Sequence, residues 1–253
     1  MRFVKKVAPW LLPISLLLIW QFFAYFDWIS SRVLPAPSDI VTSAIRLVSS
    51  GDMFEHIWVS TERALLGLAI GGTIGFIFGI LNGVSKVSET IFDSSIQMVR
   101  NIPHLALIPL VILWFGIGEQ GKIFLIALGV LFPIYLNTFH GIRSVDKQLI
   151  EMGKSYGLKK VALFTHIILP GALPSILVGL RYGLGIMWVT LIVAETISAH
   201  AGIGYLAMDA REFMQLDVVM LTIILYALLG KLSDWIAKLL EYRFLKWNPS
   251  YQK

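Results

Sequence analysis

Two ionisable residues, Arg181 and Glu195, lie within a long apolar segment of the sequence. In a helix they are about 21 Å apart, at 1.5 Å per residue, and within roughly 40° of one another around the axis. Trp188 lies between them on the same face. Ionisable side chains are costly within a membrane, so both predict either a path for a charged solute or a buried structural pair.

The two side chains differ in chemistry. The guanidinium of Arg181 offers forked hydrogen-bond donors that match an oxyanion, so this residue predicts an anion path as readily as a structural pair with a freed carbonyl or another segment. The carboxylate of Glu195 repels an anion, which favours a structural or gating role. Three polar residues in or beside other apolar segments leave the same alternatives open, lining of the path or packing: Asn101, His104 and Asn137.

The sequence offers no catalytic residues of a recognisable kind. The phosphate-binding pattern G-x-x-x-x-G-K-[ST] does not occur, and neither do H-E-x-x-H or G-x-S-x-G. There is no cysteine, and the five histidines are dispersed, which predicts no metal site. We therefore expect a protein that is not an enzyme and holds no cofactor of its own.

The composition is that of a membrane protein. Hydrophobic residues make up 57% of the chain and charged residues only 15%, against about 25% charge in soluble domains. Six apolar segments are long enough for an all-α polytopic protein with six transmembrane helices. They run to residue 26 and over 64–83, 102–118, 122–140, 171–194 and 216–236. Because 102–118 is the shortest, five spans also remain possible. The first lacks a small-residue cleavage pattern, so we interpret it as an uncleaved span.

The basic residues predict the orientation of these spans. If the N-terminus is cytoplasmic, thirteen lysines and arginines near span ends lie on that side and four on the other, which places both termini in the cytoplasm. The positive net charge of +5 is then a topology signal, and nothing points to nucleic acid as a partner. Residues 1–54 form a first span and an extracytoplasmic segment, 55–240 a membrane core, and 241–253 a cytoplasmic tail.

Glycines recur at strict four-residue spacing in the second apolar segment. Such a stripe lets the backbone of another helix approach closely, so we expect this face to pack on a neighbouring helix. The residues are Gly67, Gly71, Gly75, Gly79 and Gly83.

The longest cytoplasmic loop, residues 141–170, reads as two short helices. Ser144 is expected to cap the first, whose apolar stripe comprises Val145, Leu149, Met152 and Tyr156. Gly157 suits the left-handed end of that helix. We expect the second helix, 159–168, to stop before Pro170. An amphipathic hairpin lying on lipid headgroups is the alternative interpretation.

The spacing in this loop resembles a known family. Glu151, then Gly157, then nine residues, then Ile167-x-Leu169-Pro170 is similar to the "EAA" loop of permease subunits in ATP-binding-cassette importers, with Met152 and Gly153 in place of its two alanines. The similarity runs from about residue 55 to the end, through the segments 96–117, 156–185, 187–219 and 224–232. Within the family it is closest to the aliphatic sulfonate, taurine and nitrate branch, and there to the aliphatic sulfonate permeases.

The resemblance implies a type I importer permease in the bacterial cytoplasmic membrane. It implies a homodimer, two ATP-binding subunits that bind ATP and magnesium, and an extracytoplasmic substrate-binding protein. The loop would be the coupling segment that contacts the ATP-binding subunit through Glu151, Met152, Gly153, Tyr156 and Gly157, with Ile167, Leu169 and Pro170 behind them. Small organosulfonates are the expected cargo, with taurine, nitrate or another small oxyanion as alternatives. A secondary transporter working alone would favour internal repeats and intramembrane acids, whereas the sequence shows no repeat and only Glu195. A membrane scaffold would not require this loop.

Overall fold

The computed structural model describes the backbone of residues 2–248 and the side chains of 11–197 and 199–248. Every regular element in that range is a helix. Eleven α-helices are numbered in chain order: α1 Arg2–Tyr25, α2 Pro37–Ser50, α3 Asp52–Val84, α4 Lys86–Arg100, α5 Ile108–Phe115, α6 Glu119–Arg143, α7 Lys147–Ser155, α8 Lys160–Leu163, α9 Leu169–Ser198, α10 Ile203–Glu212 and α11 Leu216–Phe244. A 3₁₀ turn, His104–Leu107, precedes α5, and a π-helical turn, Phe164–Ile168, joins α8 to α9.

The helices form two compact units. Within the described residues, the first contains 2–60 and 200–227, and the second contains 61–199 and 228–248. In the first unit, side chains of α3 cap the start of α10, because His56 and Ser60 accept hydrogen bonds from the backbone N–H groups of Gly202 and Ile203. Every residue of the cavity and ion-pair network described below belongs to the second unit.

Four stretches of helix are long and apolar enough to cross a membrane within the described residues: 52–84, 119–143, 160–197 and 216–244. A fifth candidate consists of α4 and the helical segment His104–Phe115, which meet at a bend of 79°. This bend coincides with the break around Pro103, where the proline removes a backbone donor. An apolar helix, Leu11–Tyr25, covers part of the first predicted span. The protein is therefore a multi-pass helical membrane protein, and the count of six spans stays a prediction.

The glycine stripe of α3 lies against α6. A Cβ atom on Gly71 would collide with the backbone carbonyl of Ala127, and one on Gly75 with that of Leu131. At Gly79 the added atom would lie 2.6 Å from Cβ of Thr138. A Cβ atom on Gly67 or Gly83 would collide with side chains of α6 as well. The backbones thus approach more closely than any larger residue would allow.

Helix α9 packs on another face of α6, also through small residues. A Cβ on Gly179 would lie 2.6 Å from Cβ of Asn137, and one on Gly141 would lie 2.8 Å from Cβ of Ser175. The hydroxyl of Ser175 donates to the carbonyl of Asn137 at 2.7 Å. Helix α6 is accordingly buried along most of its length and fixes the positions of α3 and α9.

Two local predictions for the loop 141–170 were wrong. Asp146, and not Ser144, caps α7 by accepting a 2.8 Å bond from the backbone N–H of Gln148, while the Ser144 hydroxyl donates to Gly141 at the end of α6. Pro170 does not end a helix, because the π-helical turn before it widens the backbone and the chain continues into α9. Gly157 does adopt the left-handed conformation, with φ of 80°.

Candidate functional site

A cavity of about 760 Å³, here called the α9–α11 cavity, lies between α9, α11 and the His104–Leu107 turn. Its α9 wall comes from residues spaced three and four apart, which share one face of the helix. Arg181, Gly185 and Val189 belong to this wall, and Gly230 and Asp234 line the cavity from α11. Most of the lining surface is apolar, and the charged side chains of the lining are Arg181 and Asp234.

Arg181 is paired across the cavity wall with α11. Its Nε donates to Oδ1 of Asp234 at 2.7 Å, and its Nη2 is 2.5 Å from the same oxygen. Its Nη1 lies 3.8 Å from Oε1 of Glu241. The other carboxylate oxygen of Asp234 lies 3.0 Å from Nζ of Lys238 and 3.6 Å from that of Lys231. The arginine side chain remains 41% exposed, so the pair leaves it accessible from the cavity.

A neutral polar pair lies farther along the same wall. Nε2 of His104 is 3.0 Å from the hydroxyl of Thr190. Both residues line the cavity. Trp188 does not line it but supports its α11 wall, because its indole N–H donates to the Ser233 hydroxyl at 2.8 Å.

Glu195 lies in a different environment from Arg181. Its side chain has no exposed surface, and Nη1 of Arg63 donates to its Oε1 at 2.7 Å. Arg63 also donates from Nη2 to Oε1 of Glu119 at 2.8 Å, and that oxygen accepts from Nζ of Lys122 at 2.8 Å. One arginine therefore connects α3, α6 and α9. Removing one member of such a buried pair costs roughly 3–5 kcal/mol.

The two remaining polar candidates do not line the α9–α11 cavity. Asn101 follows the last residue of α4, with an exposed side chain. The amide of Asn137 donates to the carbonyl of Pro133 at 2.8 Å, within α6, and lies against Gly179. Asn101 is thus the residue at the C-terminal end of α4, and Asn137 packs where α6 meets α9.

The predicted coupling segment divides into a buried and an exposed part. A Cβ on Gly153 would collide with the side chain of Ile167, so this glycine lets α7 pack on the π-helical turn. The stripe predicted from Val145 to Tyr156 is not one contact face. Val145 is buried beside Gly171, whereas Leu149, Met152 and Tyr156 are 46%, 49% and 82% exposed. Glu151 is exposed as well, and Leu169 and Pro170 form the first turn of α9.

Sequence reasoning did not identify three residues that make these contacts. Arg63 lies one residue before the predicted start of the second span. Because α3 begins at Asp52, Arg63 is inside the helix, and a charge at the edge of an apolar segment was the available signal. Asp234 interrupts the last apolar segment, yet nothing local indicates which residue it faces. Thr190 carries no sequence signal, since a threonine is common in membrane helices.

Comparison with known proteins shows the same architecture. A family model described as "Binding-protein-dependent transport system inner membrane component" matches residues 71–246. The chain belongs to this family. The SsuC permease protein of Escherichia coli (strain K12), named for aliphatic sulfonates transport, is 59% identical over 250 residues, covering 99% of this chain and 95% of that protein. Its namesake in Bacillus subtilis (strain 168) is 47% identical over 242 residues, covering 96% and 88%.

A more distant relative matches in sequence, and two solved structures have a similar fold. The taurine transport system permease protein TauC of Escherichia coli (strain K12) is 34% identical, covering 94% of this chain and 88% of that protein. A solved amino acid ABC transporter chain superposes with a TM-score of 0.62 at 18% identity, covering 81% of this chain and 96% of that chain. A MetNI methionine transporter chain gives 0.53 at 17% identity, covering 75% and 94%. The fold is that of a type I importer permease, and the chain is a transport component and not an enzyme. Within the described residues, no group of three or more histidines or acids could hold a metal.

Proposed function

We propose that this permease forms the membrane path of an ATP-binding-cassette importer for small organosulfonates. The proposed cargo is supported by 59% identity, over nearly the full length of both proteins, to a permease named for aliphatic sulfonates transport. The relative named for taurine is more distant, at 34%. Taurine, nitrate and other small oxyanions are the competing cargoes, and a secondary transporter working alone is the competing mechanism.

The proposed orientation places both termini and the loop 141–170 in the cytoplasm. The excess of basic residues near span ends on that side supports it. The proposed division of the chain into residues 1–54, 55–240 and 241–253 follows from the same topology. The membrane core in this division contains most of the family match.

The energy source is a pair of separate ATP-binding subunits, which bind ATP and magnesium. Leu149 and Met152 are exposed on α7, and the exposed Tyr156 follows its last residue; contact between Gly153 and Ile167 holds this helix against the π-helical turn. An exposed apolar helix face of this kind suits a groove on a partner protein. Gly157 ends the helix in a conformation that favours glycine, which fixes the direction of the chain toward α8.

The assembled importer is proposed to contain two copies of this permease and an extracytoplasmic substrate-binding protein. The family description, which names a binding-protein-dependent transport system, supports the second partner. The path for the cargo is proposed to include Arg181 and His104, because both line the α9–α11 cavity. Trp188 supports the α11 wall, and Glu195 connects α9, which forms the opposite wall, to α3 through Arg63.

Tyr156→Asp tests the coupling segment. Because this side chain is 82% exposed, the substitution leaves the packing of the chain intact. We expect loss of the ATP-binding subunit from the purified complex, since a carboxylate replaces an apolar contact. Ser155→Asp places the same charge on the adjacent exposed position and is the matched control. Retention of the subunit by Tyr156→Asp would contradict the docking role.

Cargo is tested by uptake into proteoliposomes that contain the permease, its ATP-binding subunit and its binding protein. Labelled ethanesulfonate is expected to accumulate only when ATP is present on the side of the ATP-binding subunit. Unlabelled alkanesulfonates should compete, and nitrate should not. Uptake without the ATP-binding subunit would establish the secondary transporter instead.

A further inference from the structure

We infer that the α9–α11 cavity is an alkanesulfonate site within the permease itself, and that it selects cargo by the length of the aliphatic chain. The sulfonate group is placed at Arg181 and the chain along the apolar wall toward Thr190. The inference rests on the proposed function for the class of cargo. It adds a selection step that is separate from the binding protein.

The dimensions and lining of the cavity match an amphiphilic anion. Arg181 and Thr190 are nine positions apart on α9, so about 13 Å of helix separates the charged end from the neutral polar end. Gly185, Ile186 and Val189 form the wall between them. Nitrate or sulfate would use only the charged end and leave the apolar wall in contact with water, which is unfavourable. A head with an aliphatic chain covers both.

The ion pair at the charged end can exchange partners without leaving a carboxylate unpaired. Asp234 is bonded to Arg181, but its second oxygen already lies 3.0 Å from Lys238 and 3.6 Å from Lys231. When a sulfonate takes the place of Asp234 on the guanidinium, these lysines continue to neutralise the aspartate. The three oxygens of a sulfonate suit the forked donors of arginine. Arg181 is thus held in position before cargo arrives and remains able to bind it.

Two glycines leave room in the cavity for a chain. A Cβ atom built on Gly185 or on Gly230 would meet nothing within 4 Å. Both residues line the cavity, from α9 and from α11. A Cβ atom at either position therefore displaces no neighbour, and we expect a longer side chain there to extend into the cavity. Substitutions at these two positions should therefore change the longest aliphatic chain that the site accepts.

Gly185→Leu in the complete reconstituted complex, with unchanged binding protein and ATP-binding subunit, tests the inference. Uptake is measured for linear alkanesulfonates from methanesulfonate to octanesulfonate. We expect uptake of the longest substrates to fall about tenfold relative to ethanesulfonate, as for a site that excludes two methylene groups. Gly230→Leu, from the opposite wall, should shift the preference in the same direction and covers the case in which Gly185→Leu does not assemble. Gly118→Ala, at a glycine that does not line the cavity and whose added Cβ would come no closer than 3.7 Å to a neighbour, is the control and should keep the original preference.

The outcomes separate this site from the proposed function. If the unsubstituted complex transports alkanesulfonates and both leucine variants transport all chain lengths in unchanged proportion, the cavity does not select cargo and the inference is overturned. If the unsubstituted complex transports no alkanesulfonate, the proposed cargo fails, and this site fails with it. Because the binding protein is the same in every sample, a changed preference can come only from the permease.

Discussion

Glycines serve opposite purposes at two places in the second unit of this permease. At the α3–α6 interface, a Cβ on Gly71 or Gly75 would collide with the backbone of the neighbouring helix. In the α9–α11 cavity, a Cβ on Gly185 or Gly230 would meet nothing within 4 Å. The first pair removes space between helices, and the second pair leaves space beside them. A small residue in a membrane helix therefore indicates tight packing or an open volume, and only its neighbours decide which.

The ion pairs of the second unit show the same contrast between an enclosed and an open environment. Glu195 and Arg63 are enclosed, with side chains 0% and 6% exposed, whereas the Arg181 side chain, which lines the cavity, is 41% exposed. A fully enclosed pair has no room to exchange its partner for a solute. The network of Arg63 connects α3, α6 and α9, and our proposal keeps Arg181 for contact with cargo.

The largest expected effect is that of Arg63→Met. It removes a cation that neutralises Glu195, whose side chain is fully buried, and should lower stability by roughly 3–5 kcal/mol. Thermal unfolding in detergent measures the loss. Asp234→Asn removes the carboxylate from the cavity pair and is the matched control, with a small expected change because Arg181 is partly exposed. Equal losses of stability for the two variants would contradict the distinction between the enclosed pair of Arg63 and the accessible pair of Arg181.

Gly71→Ala should have the next largest effect. The added methyl group collides with the carbonyl of Ala127, which is backbone and cannot rotate away, so α3 and α6 must separate. Overpacking of this kind costs about 1–3 kcal/mol. Gly72→Ala adds the same group one residue along, 3.2 Å from a flexible methyl group of Ile134, and should be nearly neutral. Equal unfolding temperatures for the two variants would mean that the interface can open without cost.

The glycine stripe could be predicted because four-residue spacing places its members on one face of a helix, which is a local property. The role of Gly157 followed in the same way from a local conformation. The partner of Arg181 could not be predicted, because Asp234 lies 53 residues away on a helix whose rotation depends on packing. Arg63 was missed since α3 begins at Asp52, twelve residues before the predicted span. The prediction at Pro170 failed because a π-helical turn absorbs the proline, and no sequence rule indicates such a turn.

Access of cargo to the α9–α11 cavity can be measured directly because the chain contains no cysteine. Gly185→Cys places a single thiol of this chain in the cavity wall, and labelling by N-ethylmaleimide is followed in the reconstituted complex. We predict that an alkanesulfonate slows labelling several-fold, that nitrate does not, and that adding Arg181→Met removes the protection. Unchanged labelling in a complex that transports the same alkanesulfonate would contradict the account, because the cargo would then cross the membrane without entering this cavity.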